Sequence, residues 1–441
     1  MSREMKDSGI EWIGEIPKGW KTCRLKNILS SKDPMRVGPF GSALKGNDFI
    51  GEGFWVYNQR TVLDNNFISN DTYISEDKYN ELSSFQVEEN DILITTRGSI
   101  GKICQVPEGY KKGIIHPCII KFRIDDDLFI YPLIEKIFNW TDLMVKQLSK
   151  MSNSTTIDVV YSYNLKNLNL ILAPLLEQQS IANHLDTKCA EIDNLISLQE
   201  EMIAELKAYK QSVITEAVCK GLDKNVPMKD SGVEWIGEIP KDWEIKKLKH
   251  IIAAPLLYGA NESGIPYEEN LPRYIRITDI SDNNLRNDIP QLSLTETQAS
   301  GFLLEDKDIL FARSGGTVGK SFIFRQKYGR CAFAGYLIKA SINTENSADF
   351  IYYYTLSTAY DEWKSKVFIQ STIQNIGANK YALLDISIPP LSEQQTIANY
   401  LDKKCANIDQ LISIKQQKAD ELKEYKKSMI YEYVTGKKEV I

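Results

Sequence analysis

Histidine is scarce in this chain, with 3 in 441 residues. His116, His184 and His250 are scattered, so spacing suggests no general base or metal cluster, and all three are expected to be structural. The 7 cysteines are odd in number and form no CxxC pair, which indicates neither zinc nor a disulfide framework. No uninterrupted apolar run approaches the ~20 residues of a membrane span. The N-terminal MSREMKDSG carries charges of both signs and no apolar core of a secretion signal, so a cytoplasmic protein without membrane association is expected. Also missing are a glycine-rich strand-to-helix turn for a nucleotide cofactor and an Asn-Pro-Pro-Tyr or Asp-Pro-Pro-Tyr run to hold a target amino group. The run from Gly315 to Ser321 looks like a phosphate loop. Ser314 stands where its first glycine is required, however, and Phe322, Ile323 and Phe324 read as strand, so a turn is expected. Glu362-Trp363-Lys364 could close a nuclease metal site, but with no identifiable acidic partners a solvated helix face is expected. No catalytic, metal or cofactor site is therefore expected. Positive charge is short as well: a net charge of −6 disfavours nucleic acid unless basic groups are concentrated locally or supplied by a partner.

What the chain does contain is itself, twice. Pro174 to Lys210 returns at Pro390 to Lys426 with 23 of 37 positions identical. Ile192, Leu195, Leu198, Met202, Leu206, Tyr209 and Val213 follow at steps of three or four, as one stripe of a helix does. Ile408, Leu411, Ile414, Leu422, Tyr425 and Met429 repeat the pattern, and Lys418 stands on it where the first copy has Met202. After its opening proline neither copy contains glycine or proline before its end near residues 218 and 434. Two helices of roughly 60 Å each follow, and each needs a partner as long as itself. The other copy supplies one, giving an intramolecular coiled coil. Ser392 with Gln395 is expected to form a capping box; Leu176 cannot match it, so the first helix should begin less sharply. TGKKEVI reads as a frayed tail.

A header, Met5 to Trp20, recurs as Met228 to Trp243 with 14 of 16 residues identical. Its glycines and proline exclude a long helix, and its tryptophans suit a strap that pins each domain to the helices. Between header and helix the copies diverge almost completely. Both intervals are nonetheless strand-rich, with Asp91 to Thr96, Gly113 to Ile124, Arg273 to Ile280 and Asp308 to Arg313 as strands, followed by helices over Tyr131 to Leu148 and Ala348 to Val367. DIL leads into Arg97-Gly98-Ser99 in one copy and into Arg313-Ser314-Gly315 in the other. The fold class expected is α/β: two mixed α/β domains (1–173 and 222–389, headers included), separated by two long antiparallel helices (174–221 and 390–441) in a pseudo-two-fold repeat.

Variable α/β domains opened by SGxEWIGEIPxxW and closed by PLxEQQxIAxxLD, taken in tandem, resemble the specificity subunits of type I restriction-modification systems over the whole chain. The resemblance implies two target recognition domains, each reading half of a split double-stranded DNA site. It also implies fixed helices that bind two adenine methyltransferase subunits, with restriction and translocase subunits joining that core. S-adenosylmethionine, ATP and magnesium would then belong to the partners. The EQQ residues Glu177, Gln178, Gln179, Glu393, Gln394 and Gln395 are candidates for partner contacts. A coiled-coil scaffold without DNA binding, or a self-sufficient methyltransferase of unfamiliar pattern, are the alternatives.

Reading bases requires side-chain donors and acceptors delivered into the major groove. Matching VYNQRTV (Val56 to Val62) with YIRITDI (Tyr274 to Ile280) sets Asn58 against Arg276 and Arg60 against Thr278, different chemistry at corresponding places. Lys45, Arg97 and Ser99 in the first domain, with Arg273, Arg313 and Ser314 in the second, stand beside glycine-rich turns and complete the candidate DNA-binding set.

Overall fold

A computed structural model describes residues 3–32, 35–152, 159–281, 284–369 and 375–440. The chain forms two compact units, Met1–Gln199 with Gln417–Ile441, and Glu200–Gln416. The division falls in the middle of both long helices, so each unit holds one variable domain with half of each helix.

The helices run over Leu175–Lys220 and Leu391–Val434. In the first unit Asp193 bonds Lys426 at 2.7 Å and the His184 ring lies 4.6 Å from that of Tyr433. Rising number on one helix meets falling number on the other, so the pair is antiparallel. In the second unit Lys210 bonds Asp409 at 2.6 Å and Gly221, just past the first helix, lies against Glu393 at the start of the second, again antiparallel. Asp193 and Asp409 are the same position of the two repeats, as are Lys210 and Lys426.

The buried stripe matches the expected one only in part, at Ile192, Val213, Ile408 and Met429. Ile181, Leu185, Ile192, Ile196, Ile203, Val213 and Ala217 are inside, whereas Leu195, Leu198, Met202 and Tyr209 are exposed, as are Leu411, Ile414 and Tyr425. Each helix is apolar over more than one stripe, and periodicity alone does not say which stripe turns inward. Lys418 is exposed for the same reason, and its neighbour Ala419 is the buried residue. The helix starts also differ from expectation. Both begin one residue after their proline, so Ser392 lies inside the first turn and caps nothing. Instead Gln178 and Gln394 reach back to the carbonyls of Ala173 and Pro389 at 2.8 and 2.9 Å.

The headers form hairpins, Met5–Asp7 with Glu15–Pro17 and Met228–Asp230 with Glu238–Pro240, and act as straps. Trp20 and Trp243 are each 1% exposed, and their indole N–H groups donate to Glu177 and Glu393 at 2.9 and 3.2 Å. A buried tryptophan removes 150–250 Å² from water, about 4–6 kcal/mol before ordering costs. The first unit also holds the helix end against its header. A Cβ on Gly436 would lie 2.4 Å from Pro17 and 2.8 Å from Trp20, Thr435 is fully buried, and Tyr431 donates to the Trp12 carbonyl at 3.3 Å. Residues 435 and 436 are therefore packed rather than frayed.

Each variable domain is built on two four-stranded sheets of matching topology. In the first, Met35–Val37, Ile119–Phe122, Ile92–Thr95 and Ile103–Gln105 lie side by side, and Gly113–Ile115, Phe54–Tyr57, Tyr73–Ile74 and Phe49–Ile50 form the other sheet. In the second, Leu257–Tyr258, Leu337–Ala340, Ile309–Ala312 and Ser321–Ile323 repeat the former, and Cys331–Phe333, Arg273–Ile275, Leu292–Ser293 and Ile265–Pro266 repeat the latter. The run 113–124 is not one strand, because His116-Pro117 divides it between the two sheets, proline having no N–H for a ladder. Arg273–Ile275 likewise ends early, in a 3-10 turn at Ile277–Asp279. The helices that follow are each broken in two, Tyr131–Trp140 with Leu143–Ser152 and Ala348–Tyr354 with Thr358–Ile369. The hydroxyls of Thr141 and Ser357 bond backbone at the breaks.

Candidate nucleic-acid interface

In both domains a parallel strand pair, Phe54–Tyr57 with Gly113–Ile115 and Arg273–Ile275 with Cys331–Phe333, ends at the same fold position. The next residue is Asn58 in one and Arg276 in the other, so the expected correspondence holds. Asn58 caps the helix Gln59–Asp64, its side-chain oxygen accepting the N–H groups of Arg60 and Thr61 at 2.9 and 3.3 Å. Arg276 turns back onto Asp279, Nε and Nη2 donating at 2.9 Å each, with Nη2 also on the Pro290 carbonyl at 3.0 Å. The bond to Asp279 raises the arginine's pKa further. Arg273 is 9% exposed and is held by Asn287 and the Arg286 carbonyl. Asn58, Arg273 and Arg276 are thus held by hydrogen bonds within the domain, Arg273 as a buried side chain and Asn58 and Arg276 as partly exposed ones.

Arg60 and Thr278 remain exposed beside them. Arg60 pairs loosely with Asp64 at 3.4 Å and lines a polar recess of about 230 Å³ with Asn58, Asn66 and Asn70. Lys45 is exposed at the head of the turn Gly46–Asp48, its backbone N–H bonded to Asp48 at 2.6 Å. Arg97 and Ser99 are exposed in a glycine turn, and Thr95 donates to the Ser99 carbonyl at 2.6 Å. Burial first, and Arg97 second, hold His116 below its usual pKa, in keeping with its Nδ1 accepting the Cys118 N–H at 3.2 Å.

The two glycine turns align as the shared DIL runs at 91–93 and 308–310 do. Val160 N–H bonds the Thr96 carbonyl and Ile376 N–H bonds the Arg313 carbonyl, both at 2.9 Å. Thr96 therefore corresponds to Arg313, and Arg97 to Ser314. Gly315–Thr317 is a 3-10 turn followed by the strand Ser321–Ile323, so the resemblance to a phosphate loop ends there. Trp363 is buried while Glu362 is exposed, and among the described residues no group of three or more His, Cys, Asp or Glu is placed to hold a metal ion. Sequence reasoning passed over the exposed aromatics Phe40, Tyr161, Tyr163 and Tyr336; the glycines flanking Phe40 and the glycine before Tyr336 were the available signal.

The EQQ residues divide. Gln178 is fully buried, accepting the Ile130 N–H and donating to the carbonyls of Leu128 and Ala173. Gln394 likewise accepts from Ser347 N–H and donates to Asn346 and the Pro389 carbonyl. Glu177 holds Trp20 and Arg3, and Glu393 holds Trp243. These four join strap, helix and variable domain within each unit; Gln178 and Gln394 are buried there, while Glu177 and Glu393 stay partly exposed. Gln179 and Gln395 are exposed. Two further anchors were missed: Asp186 pairs with Lys136 at 2.5 Å and Asp402 accepts from Tyr353 at 2.7 Å, the same helix position holding a different domain residue in each unit.

The pattern of the type I restriction modification DNA specificity domain matches residues 17–208 and 240–434. The chain belongs to that family. It is similar to the type I restriction enzyme MjaVIII specificity subunit of Methanocaldococcus jannaschii, with 25% identity over 91% of this chain and 92% of that one. The putative MjaX specificity subunit of the same organism is 26% identical over 96% and 95%. Among solved structures, a chain from a study of complex assembly and conformational transition of the type I R-M system shares the fold. Its TM-score is 0.71 at 16% identity, over 95% of this chain and 98% of that one. As a member of this specificity family the chain confers DNA specificity and is not itself the catalyst. Among the described residues no helix is long and apolar enough to cross a membrane.

Proposed function

We propose that the chain reads a bipartite duplex, one half-site with each variable domain, and offers the exposed apolar stripes of its long helices to two adenine methyltransferase subunits. Restriction and translocase subunits join through that core. S-adenosylmethionine, ATP and magnesium act on those partners, in the cytoplasm. The observation that carries this reading is the contrast within the duplication. One two-sheet fold occurs twice with different side chains at its matched strand ends, while Trp20 and Trp243, Gln178 and Gln394, and the crossed Asp and Lys pairs repeat contact for contact. Exposed Leu195, Leu198, Leu411 and Ile414 suit an apolar partner surface. Exchanging residues 21–173 for a foreign equivalent, assembling the chimera with the methyltransferase and mapping methylation should change one half-site and leave the other. A change in both halves refutes independent reading.

A further inference from the structure

Arg313 differs from every other arginine of its unit. Arg273 and Arg276 are engaged as described, Arg286 pairs with Asp288 at 2.7 Å, Arg325 with Asp349 at 2.6 Å and Arg330 with Glu296 at 2.5 Å. Arg313 makes one side-chain hydrogen bond among the described residues, from Nη1 to the Gly335 carbonyl at 3.5 Å, and its Nε–H is buried without an acceptor. What orients it is a ring. The guanidinium carbon lies over the Tyr258 ring, 4.9 Å from its centroid, a cation–π contact that arginine favours. The Tyr258 hydroxyl accepts the Ala378 N–H at 2.9 Å, which fixes the ring in turn. A Cβ on Gly335, whose carbonyl holds Nη1, would lie 2.1 Å from the exposed Asn261 side chain, which would have to move aside. Beside this cluster Tyr336 is exposed and the turn Gly315–Thr317 leaves the backbone open to close approach.

Among the described residues the first domain has no such pair at the matching place. Its Thr96 is buried and donates to the Cys118 carbonyl at 2.8 Å, and Val37 occupies the place of Tyr258 in the matching strand. The difference lies where two domains with different targets must differ.

We propose that Arg313 reads a guanine in the half-site of the second domain, its fork donating to O6 and N7 in the major groove, with Tyr258 as its positioning residue. This rests on the bipartite reading above. A phosphate contact requires only a charge within reach, which a flexible lysine supplies. A guanidinium held over a ring, with one long hydrogen bond at Nη1 and none at Nη2 among the described residues, can present its two terminal nitrogens to a flat edge bearing two acceptors.

The test uses the full-length chain assembled with its methyltransferase, on duplexes of the target mapped for the wild type. Each guanine of the second half-site is replaced in turn by 7-deazaguanine, which lacks the N7 acceptor. One position should slow wild-type methylation about tenfold at limiting complex. R313A, already roughly ten- to a hundredfold slower on the natural duplex, should be indifferent to that replacement. R313K, which keeps the charge but not the fork, should lose the same position, and Y258L, which leaves the arginine, should weaken it in part. Thermal unfolding of each variant controls for fold. A uniform loss with a shallower salt dependence and no sensitive guanine makes Arg313 a phosphate contact and overturns the proposal, as does wild-type rate and pattern in R313A. Failure of the wild-type complex to methylate any bipartite target overturns instead the reading beneath it.

Discussion

Lys426 and Lys210 occupy one position of the two repeats and each pairs with an aspartate of the opposite helix, yet their surroundings differ. The Lys426 side chain is 4% exposed and its ammonium sits 3.7 Å from the Trp140 ring centroid; that of Lys210 is 22% exposed. A charge-assisted hydrogen bond is worth about 1.5–3 kcal/mol and a desolvated cation–π contact about 2 kcal/mol. An exposed ion pair contributes about 0.2–1 kcal/mol. Asp193 and Asp409 are each 55% exposed, so solvent screening trims both pairs alike and leaves the difference to the lysines. A double-mutant cycle of Asp193→Ala with Lys426→Ala should give a coupling of about 1–2 kcal/mol, against about 0.5 kcal/mol for Asp409→Ala with Lys210→Ala. Lys426→Ala alone, which also abandons Trp140, should cost about 2–4 kcal/mol. At roughly 2–4 °C per kcal/mol, calorimetry should show a lowered transition that Lys210→Ala barely moves. Equal couplings in the two cycles would refute the argument that burial and Trp140 set the strength of this pair.

A permutant joining Gly436 to Met5 through a short linker and opened near Asp223 should fold and direct wild-type methylation, because Gly436 packs on Pro17 and Lys18 donates to the Glu4 carbonyl at 2.9 Å; loss of the cooperative melt would contradict this. Residues 1–221 alone carry both Asp193 and Lys210, so two copies can form both crossed pairs. Light scattering should show a dimer, and methylation with the partner present should fall on an interrupted palindrome. Ala419→Leu should destabilise the protein by about 1–3 kcal/mol through overpacking, whereas Lys418→Leu should change stability by less than about 0.5 kcal/mol; denaturant melts showing the reverse order would restore Lys418 to the seam.

The sequence by itself determined the duplication, the two α/β domains, the length and approximate ends of both helices, and the straps. These rest on local rules: identity between copies, absence of glycine and proline, alternating strand patterns, and tryptophans that must be covered. It also placed Asn58 opposite Arg276, since the strands before them are locally recognisable. Only the tertiary structure decided which apolar stripe faces inward, because Ile192 and Leu195 both satisfy a helical period and only the partner helix chooses between them. It decided, too, which candidates are free. Arg276 and Arg313 are the same residue type beside similar turns, but Asp279 folds back onto one, while the ring of Tyr258, some fifty positions away in the chain and two strands across the sheet, holds the other with a single weak hydrogen bond among the described residues. Hydrogen-bond satisfaction is a property of neighbours in space, and no residue's identity discloses it.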